Sequence, residues 1–255
     1  LSFVESVADD GTLYTNTPYL AAAESGGTHY LVSAGNRDDG VSVFEIASDG
    51  TLTNTDNVAD DGTLNVSGAY DLTTTRVGSA TFVVVVGLDD EGISVFDLNS
   101  DGTLSNTANE SDNASRLMAG PRGADAIQSG SSVYLFVTSY NENGATIFEL
   151  ASDGTLVDVG TIADDANTEI ETAAGIATVF QGTTPYVAIY GYTDRGVSLY
   201  EVASDGTLSN TDTFRDVSTS VYLYWVHGVS AASVATGSQA FVIASSEGDE
   251  GLTTV

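Results

Sequence analysis

Hydrophobic and polar positions follow one another along this chain in blocks that recur about every 51 to 55 residues. Each block has an apolar run, an acidic turn, a second run resembling Gly-Val-Ser-Val-Phe-Glu, and the sequence Ser-Asp-Gly-Thr-Leu. The copies begin near Tyr30, Phe82, Tyr134 and Tyr186, and an unfinished copy begins near Phe241. Such a period, with several short apolar runs per unit, predicts one small β-sheet repeated along the chain.

The first complete block illustrates the predicted strands. Residues 29–34 and 41–46 are β-rich runs, and the Gly/Asn/Asp-rich residues 35–40 between them predict a hairpin. A second turn is expected at Ser-Asp-Gly 48–50, because Asp-Gly tolerates positive φ at low cost. The polar residues 52–58 then predict a strand that faces solvent.

Polarity changes in one direction across each block. Small-residue runs (20–23, 123–126, 175–177 and 228–231) suit an innermost strand crowded around an axis, whereas residues 82–86 are apolar on both faces and require cover on both sides. The polar strand belongs at the outer edge. The sequence therefore predicts an all-β protein, a five-bladed β-propeller of four-stranded antiparallel blades.

The two ends of the sequence complement each other. Residues 1–13 align without gaps on 52–64, as an outer strand, and residues 251–255 align on 40–44. We expect the N-terminal strand to close the ring inside the C-terminal blade, since closure removes exposed sheet edges. A single domain over residues 1–255 then has blades near 14–64, 65–115, 116–166, 167–217 and 218–255, the last completed by 1–13. The alternatives are a fragment of a longer propeller and strand exchange between neighbouring molecules.

Charge narrows the possible partners. The 255 residues include 36 acidic and 6 basic side chains, giving a formal net charge of −30, and all the basic residues are arginine. This balance argues against nucleic acid and anionic membranes as partners, which require clustered cations. It favours cation binding, or a halophilic or marine setting in which salt screens self-repulsion. There is no cysteine, and no apolar run approaches the length of a membrane span.

Two stretches carry a family resemblance. Residues 134–141 (YLFVTSYN) followed by 144–150 (GATIFEL) resemble the Tyr-Val-Thr-Asn propeller repeat of surface-layer and cell-surface proteins. The Val-Ser-Val-Phe-Glu-Ile and Asp-Gly-Thr-Leu stretches are similar to the lactonase (6-phosphogluconolactonase-like) propeller repeat. The first resemblance implies an extracellular or cell-surface structural module, and the second implies a hydrolase. Both families usually have seven blades, and no position here matches their catalytic residues.

Acidic turns provide candidate metal ligands. The turns inside the inner hairpins and the links between blades share one face of a propeller, and here both are rich in carboxylates. Oxygen ligands without His or Cys suit Ca²⁺ at the affinities of extracellular modules, although no EF-hand signature is present. The alternative is a solvated acidic face. The candidate ligands are Asp38, Asp39, Asp60, Asp61, Asp89, Asp90, Asp164 and Asp165.

An aromatic segment provides candidate ligand-binding residues. Residues 221–228 (VYLYWVHG) hold Tyr222, Tyr224 and the only tryptophan, Trp225, and the inner strands add Arg76 and Arg122. Aromatic faces beside arginines and carboxylates suit a sugar or small polar ligand. The alternative is that these rings pack under a long loop.

Catalysis has one candidate centre. His227 would act as general base, with Asp71 or Asp125 orienting it, or the two aspartates would form a glycosidase-like carboxylate pair. A packed histidine is the simpler interpretation. The leading hypothesis is therefore an extracellular, non-enzymatic binding or structural module, calcium-assisted or self-assembling into filaments. The alternative is a lactonase- or glycosidase-like hydrolase with an axial site.

Overall fold

The computed structural model describes residues 3–216, 223, 226–233, 240–246 and 251–254. The described residues form β-strands, turns and loops, and none of them forms a helix long and apolar enough to cross a membrane. The strands fall into five antiparallel sheets, in which each strand pairs with the next one along the chain.

The first two sheets each contain four strands. Sheet 1 comprises β1 (Pro18–Ser25), β2 (Thr28–Gly35), β3 (Gly40–Ile46) and β4 (Leu52–Ala59). Sheet 2 comprises β5 (Ala69–Val77), β6 (Ala80–Gly87), β7 (Gly92–Leu98) and β8 (Leu104–Ser111).

The next two sheets repeat this arrangement, and the last has three strands. Sheet 3 comprises β9 (Pro121–Ser129), β10 (Ser132–Ser139), β11 (Gly144–Leu150) and β12 (Leu156–Ala163). Sheet 4 comprises β13 (Ala173–Gln181), β14 (Thr184–Gly191), β15 (Gly196–Val202) and β16 (Leu208–Arg215). Sheet 5 comprises β17 (Val226–Ser233), β18 (Ala240–Ser246) and β19 (Gly251–Thr254). The prediction of repeated four-stranded antiparallel sheets is confirmed for sheets 1 to 4.

The Ser-Asp-Gly-Thr turn joins the third and fourth strands of each complete sheet. In sheet 1 the Asp49 carboxylate accepts hydrogen bonds from the amide and the hydroxyl of Thr51, at 3.0 and 2.7 Å. Gly50 supplies a positive φ of 88°. The Thr51 hydroxyl, and then its amide, hold the pKa of Asp49 below its usual value. The same bonds recur at Asp101, Asp153 and Asp205.

The chain divides into two compact units, each with its own core. Unit 1 is Leu1–Ser111 with Ala151–Leu156, and unit 2 is Asp112–Leu150 with Val157–Val255. Val83, Val84, Val85 and Val86 of unit 1 are all fully buried, which confirms the predicted double-sided cover of this strand. In unit 2, Tyr134, Phe136, Ile147 and Val187 lie in one cluster with Ile189 and Tyr200.

Neighbouring sheets within a unit are joined through these turns. Between sheets 1 and 2, Tyr30 donates its hydroxyl hydrogen bond to the Ser100 carbonyl at 2.9 Å, and the Asp56 carboxylate accepts from the Leu104 amide at 2.8 Å. In unit 2 the Tyr134 hydroxyl bonds the Ser204 carbonyl at the same distance, 2.9 Å. A tyrosine in the second strand of one sheet thus fixes the turn of the next sheet.

The segment of residues 3–13 makes one contact that matches a contact of the outer strands, although it forms no strand itself. Glu5, which aligns with Asp56, accepts a hydrogen bond from the Leu52 amide at 2.7 Å. Just beyond, the Tyr14 amide donates to the Ser42 hydroxyl at 2.8 Å. None of residues 3–13 is assigned to a strand. The predicted five-bladed ring and its closure by residues 1–13 therefore stay predictions.

We call the first strand of each sheet its inner strand, and the inner strands of sheets 2 to 5 begin with β-bulges. Near the start of each of these strands, the pairing with the second strand of the sheet shifts by one residue. The shift occurs between β5 and β6, β9 and β10, β13 and β14, and β17 and β18. The pairing of β1 with β2 runs without such a slip. The extra residues are Tyr70, Arg122, Ala174 and His227. Bulges re-aim side chains and often lie next to active sites.

Candidate functional site

Three of the four bulge residues lie on inner strands of unit 2. Arg122 on β9 and His227 on β17 occupy the same register position, and Ala174 occupies it on β13. Strand β13 lies beside both β9 and β17. An arginine and a histidine therefore occupy equivalent backbone positions on two strands that are separated by one strand, which has an alanine at this level. We take the bulged ends of β9, β13 and β17 as the candidate site.

Aromatic rings hold the arginine of this site. The Arg122 guanidinium carbon lies 3.8 Å from the ring centroid of Tyr140, which follows β10. The Tyr140 and Tyr192 rings are 6.1 Å apart and inclined by 48°. All three side chains are half-buried. Stacking on an aromatic face restrains the planar guanidinium, a group whose N–H donors match the geometry of carboxylates and other oxyanions.

Asp125 ties two strands of the site together. Its carboxylate accepts hydrogen bonds from the Thr178 amide of β13 at 2.7 Å and from the Ala126 amide at 2.8 Å. Hydrogen bonds to a charged acceptor are stronger than those between neutral groups. Asp125, predicted as a catalytic partner of His227, thus has a structural role in fixing β9 against β13.

The other catalytic candidates are placed as follows. Asp71 accepts a hydrogen bond from the Leu72 amide at 2.9 Å and belongs to unit 1, whereas Asp125 belongs to unit 2. For His227 the structure gives the backbone register in β17. The predicted grouping of His227 with Asp71 or Asp125 stays a prediction.

The predicted ligand-binding residues fall into three places. Tyr222, Tyr224 and Trp225 lie outside the described residues. Arg122 lies in the candidate site. Arg76 belongs to unit 1 and is 3.8 Å from the Glu24 carboxylate, with about half of each side chain exposed.

The predicted metal ligands of unit 1 accept hydrogen bonds from backbone amides. Asp38 binds the Asn16 amide at 2.7 Å, Asp39 the Gly68 amide at 2.8 Å, and Asp90 the Ser67 amide at 2.8 Å. Burial, and then the charges of Asp60 and Asp39, raise the pKa of Asp90, whose bond from Ser67 acts in the opposite direction. These acidic turns therefore bind the links that lead into the inner strands.

The remaining predicted ligands form local turns. Asp60 accepts from the Gly62 amide, Asp61 from Thr63, Asp164 from Ile170 and Asp165 from Asn167. The Asp89 amide donates to the Ser67 carbonyl at 3.2 Å. Within the part of the chain that the structure describes, no three His, Asp or Glu side chains are grouped to hold a metal ion. The calcium hypothesis stays a prediction.

The sequence placed Arg122 among the candidate ligand-binding residues, but it revealed neither the stacking of Arg122 on Tyr140 nor the bulges. The sequence does contain one signal for the aromatic part of the site: Tyr140 and Tyr192 occupy the same point of two consecutive blocks.

Comparison with known proteins shows the fold. Neither a protein-family model nor a curated protein sequence matches the chain. A putative 6-phosphogluconolactonase from Bacteroides uniformis is 17% identical with a TM-score of 0.61, over 92% of this chain and 69% of that one. The periplasmic gluconolactonase of Pseudomonas aeruginosa is 15% identical with a TM-score of 0.63, over 93% and 70%.

A third similar structure is a putative exo-beta-1,3-galactanase from Bifidobacterium bifidum. It is 14% identical with a TM-score of 0.56, over 95% of this chain and 87% of that one. At these identities the similarity concerns architecture and leaves activity open. The chain has a β-propeller fold like that of lactonase-like proteins.

Proposed function

We propose that this chain is a hydrolase that opens a small polyhydroxylated lactone at the bulged ends of β9 and β17. The observation that carries the proposal is the common bulge position of Arg122 and His227 on strands that flank β13. The similarity to proteins described as lactonases supports the choice of substrate class.

The proposed reaction assigns one role to each residue. His227 accepts a proton from a water molecule as the water oxygen attacks the lactone carbonyl carbon. Arg122, restrained by Tyr140, stabilises the negative charge that develops on the carbonyl oxygen. The ring C–O bond then breaks, the leaving alkoxide takes the proton back from His227, and the product is a hydroxy acid.

Hydrolysis of glucono-lactone, followed through acid release in weakly buffered solution, tests this proposal. We expect Arg122→Ala and His227→Ala each to lower kcat/KM about a hundredfold or more. Arg76→Ala is the matched control, because it also removes one arginine and lies in unit 1. Wild-type hydrolysis no faster than the buffer rate, or full activity in both variants, would overturn the proposal.

A non-enzymatic, cell-surface binding or structural module is the second candidate. The observation that favours it is the repeated use of turn carboxylates to bind backbone amides, which also includes Glu142 at Ala119 and Asp194 at Glu171. Because these contacts recur from one sheet to the next, the acidic turns form a repeated structural feature, as expected of a structural module. Calorimetry with glucono-lactone and gluconate separates the candidates: this module binds a sugar acid without turning over its lactone.

The finer fold proposal concerns residues 1–13, which we propose to be the fourth strand of the β17–β19 sheet and to complete a five-bladed propeller. Their gapless alignment with residues 52–64 and the Glu5–Leu52 contact support this role. If the strand closes its own ring, amide hydrogen exchange finds residues 3–11 protected and light scattering finds a monomer. If strands are exchanged between molecules, the same amides are protected and light scattering finds a dimer. Unprotected amides in a monomer would contradict both arrangements.

A further inference from the structure

Thr172, immediately before β13, has a strained backbone. Its φ of 61° lies in the left-handed region, which a β-branched residue rarely adopts. Gly68 and Gly120 occupy the same position in sheets 2 and 3, with φ of 60° and 64°. Glycine would therefore be the less strained residue at position 172.

Strain alone does not mark a site in this chain. Thr17, at the same position before β1 in unit 1, has a φ of 56°. What distinguishes Thr172 is its hydroxyl, which lies 2.7 Å from the hydroxyl of Thr193. The Asn143 side-chain oxygen also accepts a hydrogen bond from the Thr172 amide at 2.9 Å, which fixes the strained residue in place.

Both threonines adjoin the candidate site. Thr172 precedes the bulge residue Ala174 by two positions, and Thr193 directly follows Tyr192, whose ring neighbours Tyr140. The Tyr192 amide also donates to the Thr172 carbonyl at 3.1 Å, which holds the two segments together. The hydroxyl pair thus belongs to the same end of the inner strands as the stacked Arg122.

We propose that the Thr172–Thr193 hydroxyl pair is a substrate-hydroxyl subsite of the hydrolase site, which rests on the proposed function. One hydroxyl of the pair donates to the other, so the pair still offers one O–H donor and several acceptor lone pairs. A sugar hydroxyl is both donor and acceptor and satisfies both at once. The subsite therefore selects lactones that carry free ring hydroxyls.

The substitution of Thr172 by glycine separates backbone strain from ligand binding. A backbone strained at a ligand site is retained where the side chain contributes to binding, at the expense of stability. Replacing Thr172 by glycine removes the strain and the hydroxyl together. If the pair is a subsite, Thr172→Gly is more stable than wild type and binds the ligand more weakly. If the pair is purely structural, the substitution lowers stability or leaves the affinity unchanged.

The test compares Thr172→Gly with Thr17→Gly in the full chain. We expect Tm to rise by about 1–4 °C in both variants. Affinity for gluconate, measured by calorimetry, falls roughly tenfold in Thr172→Gly and stays unchanged in Thr17→Gly. Thr193→Ala, which leaves the backbone strain in place, also weakens gluconate binding.

A set of monodeoxy gluconates, each lacking one hydroxyl, completes the design. One of them should bind wild type and Thr172→Gly equally well, because its missing hydroxyl is the one that the subsite holds. If Thr172→Gly binds gluconate as tightly as wild type while Arg122→Ala does not, the subsite is wrong and the proposed function stands. If wild type binds neither gluconate nor its lactone, both fail.

Discussion

Glu169 and Asn65 show how one residue position can serve the same structural purpose with different chemistry. Each donates its amide to a serine hydroxyl of the third strand, Ser198 or Ser94, at 2.7 Å. The Asn65 side chain then donates to the Ser111 hydroxyl at 3.1 Å, whereas Glu169 lies 3.1 Å from the Arg215 guanidinium. An amide–hydroxyl contact in unit 1 is thus replaced by an ion pair in unit 2.

The ion pair does not fully offset the burial of Glu169. Desolvation raises the pKa of this carboxyl, Arg215 lowers it, and the charges of Asp194 and Asp164 raise it again. A carboxyl whose pKa is higher in the folded protein opposes folding when it is ionised in both states. Its penalty is therefore present near neutral pH and disappears as the pH falls through the folded pKa toward the ordinary value.

The substitution Glu169→Gln tests whether the ionised Glu169 carboxylate lowers the stability of the folded protein. We expect the variant to be more stable than wild type at neutral pH, and the difference to shrink as the pH falls toward the ordinary pKa of glutamate. Urea unfolding across this pH range measures it. The control is the half-buried neighbour Glu171→Gln. A variant less stable than wild type at neutral pH would show that the Arg215 contact outweighs desolvation.

At the scale of elements, Arg116 fastens the link between β8 and β9 to sheet 3. Its guanidinium makes two hydrogen bonds to the Asp158 carboxylate of β12, at 2.8 and 3.0 Å, and lies 5.2 Å from the Phe148 ring. The Arg116 side chain is only 12% exposed. Paired geometry and burial distinguish this contact from an ordinary surface ion pair.

We expect Arg116→Ala to lower the free energy of unfolding by about 1–3 kcal/mol. The loss combines two charge-assisted hydrogen bonds with the packing of the side chain on Phe148. Chemical denaturation measures it, with Arg76→Ala as the control, since the exposed Arg76 contact should change stability by less than about 1 kcal/mol. Equal losses in the two variants would contradict this account.

The elements that the sequence predicted are those with a local cause. The Ser-Asp-Gly-Thr turns are specified by side-chain bonds two residues apart, as at Asp49 and Thr51, so the pattern suffices to locate them. The buried strand near Val84 is specified by an uninterrupted run of apolar residues, which requires burial of both faces of the strand. Strand order and the position of the polar outer strand followed from the same local signals.

The site had no comparable local signal. A bulge at Arg122 or Ala174 adds one residue to a strand of small side chains, where no alternation of polar and apolar residues reveals the slip. The stacking of Arg122 on Tyr140 depends on the pairing of β9 with β10, which brings together residues distant in sequence. The bonds from backbone amides to the acidic turns, such as Gly68 to Asp39, likewise depend on contacts between turns that the sequence pattern does not show.

For the whole molecule, charge is the dominant long-range property. The formal net charge of −30 destabilises the folded state through self-repulsion, and salt reduces this effect as the screening length falls from ~10 Å at 0.1 M to ~3 Å at 1 M. We therefore expect Tm to rise steadily with NaCl over this range. A flat or falling Tm would contradict the screening account.

Calcium distinguishes screening from specific sites. Because the turn carboxylates already bind backbone amides, as Asp39 and Asp90 do, we expect CaCl₂ at matched ionic strength to raise Tm no more than NaCl does. A larger shift at millimolar Ca²⁺, removed by Asp90→Asn, would instead support specific calcium sites.

The most direct test of the central claim is a crystal structure of the protein grown with gluconate, the product of the proposed reaction. We expect the gluconate carboxylate to lie within about 3 Å of the Arg122 guanidinium and the ligand to contact His227. Gluconate bound elsewhere at full occupancy, or a site that stays empty at saturating gluconate, would contradict the account.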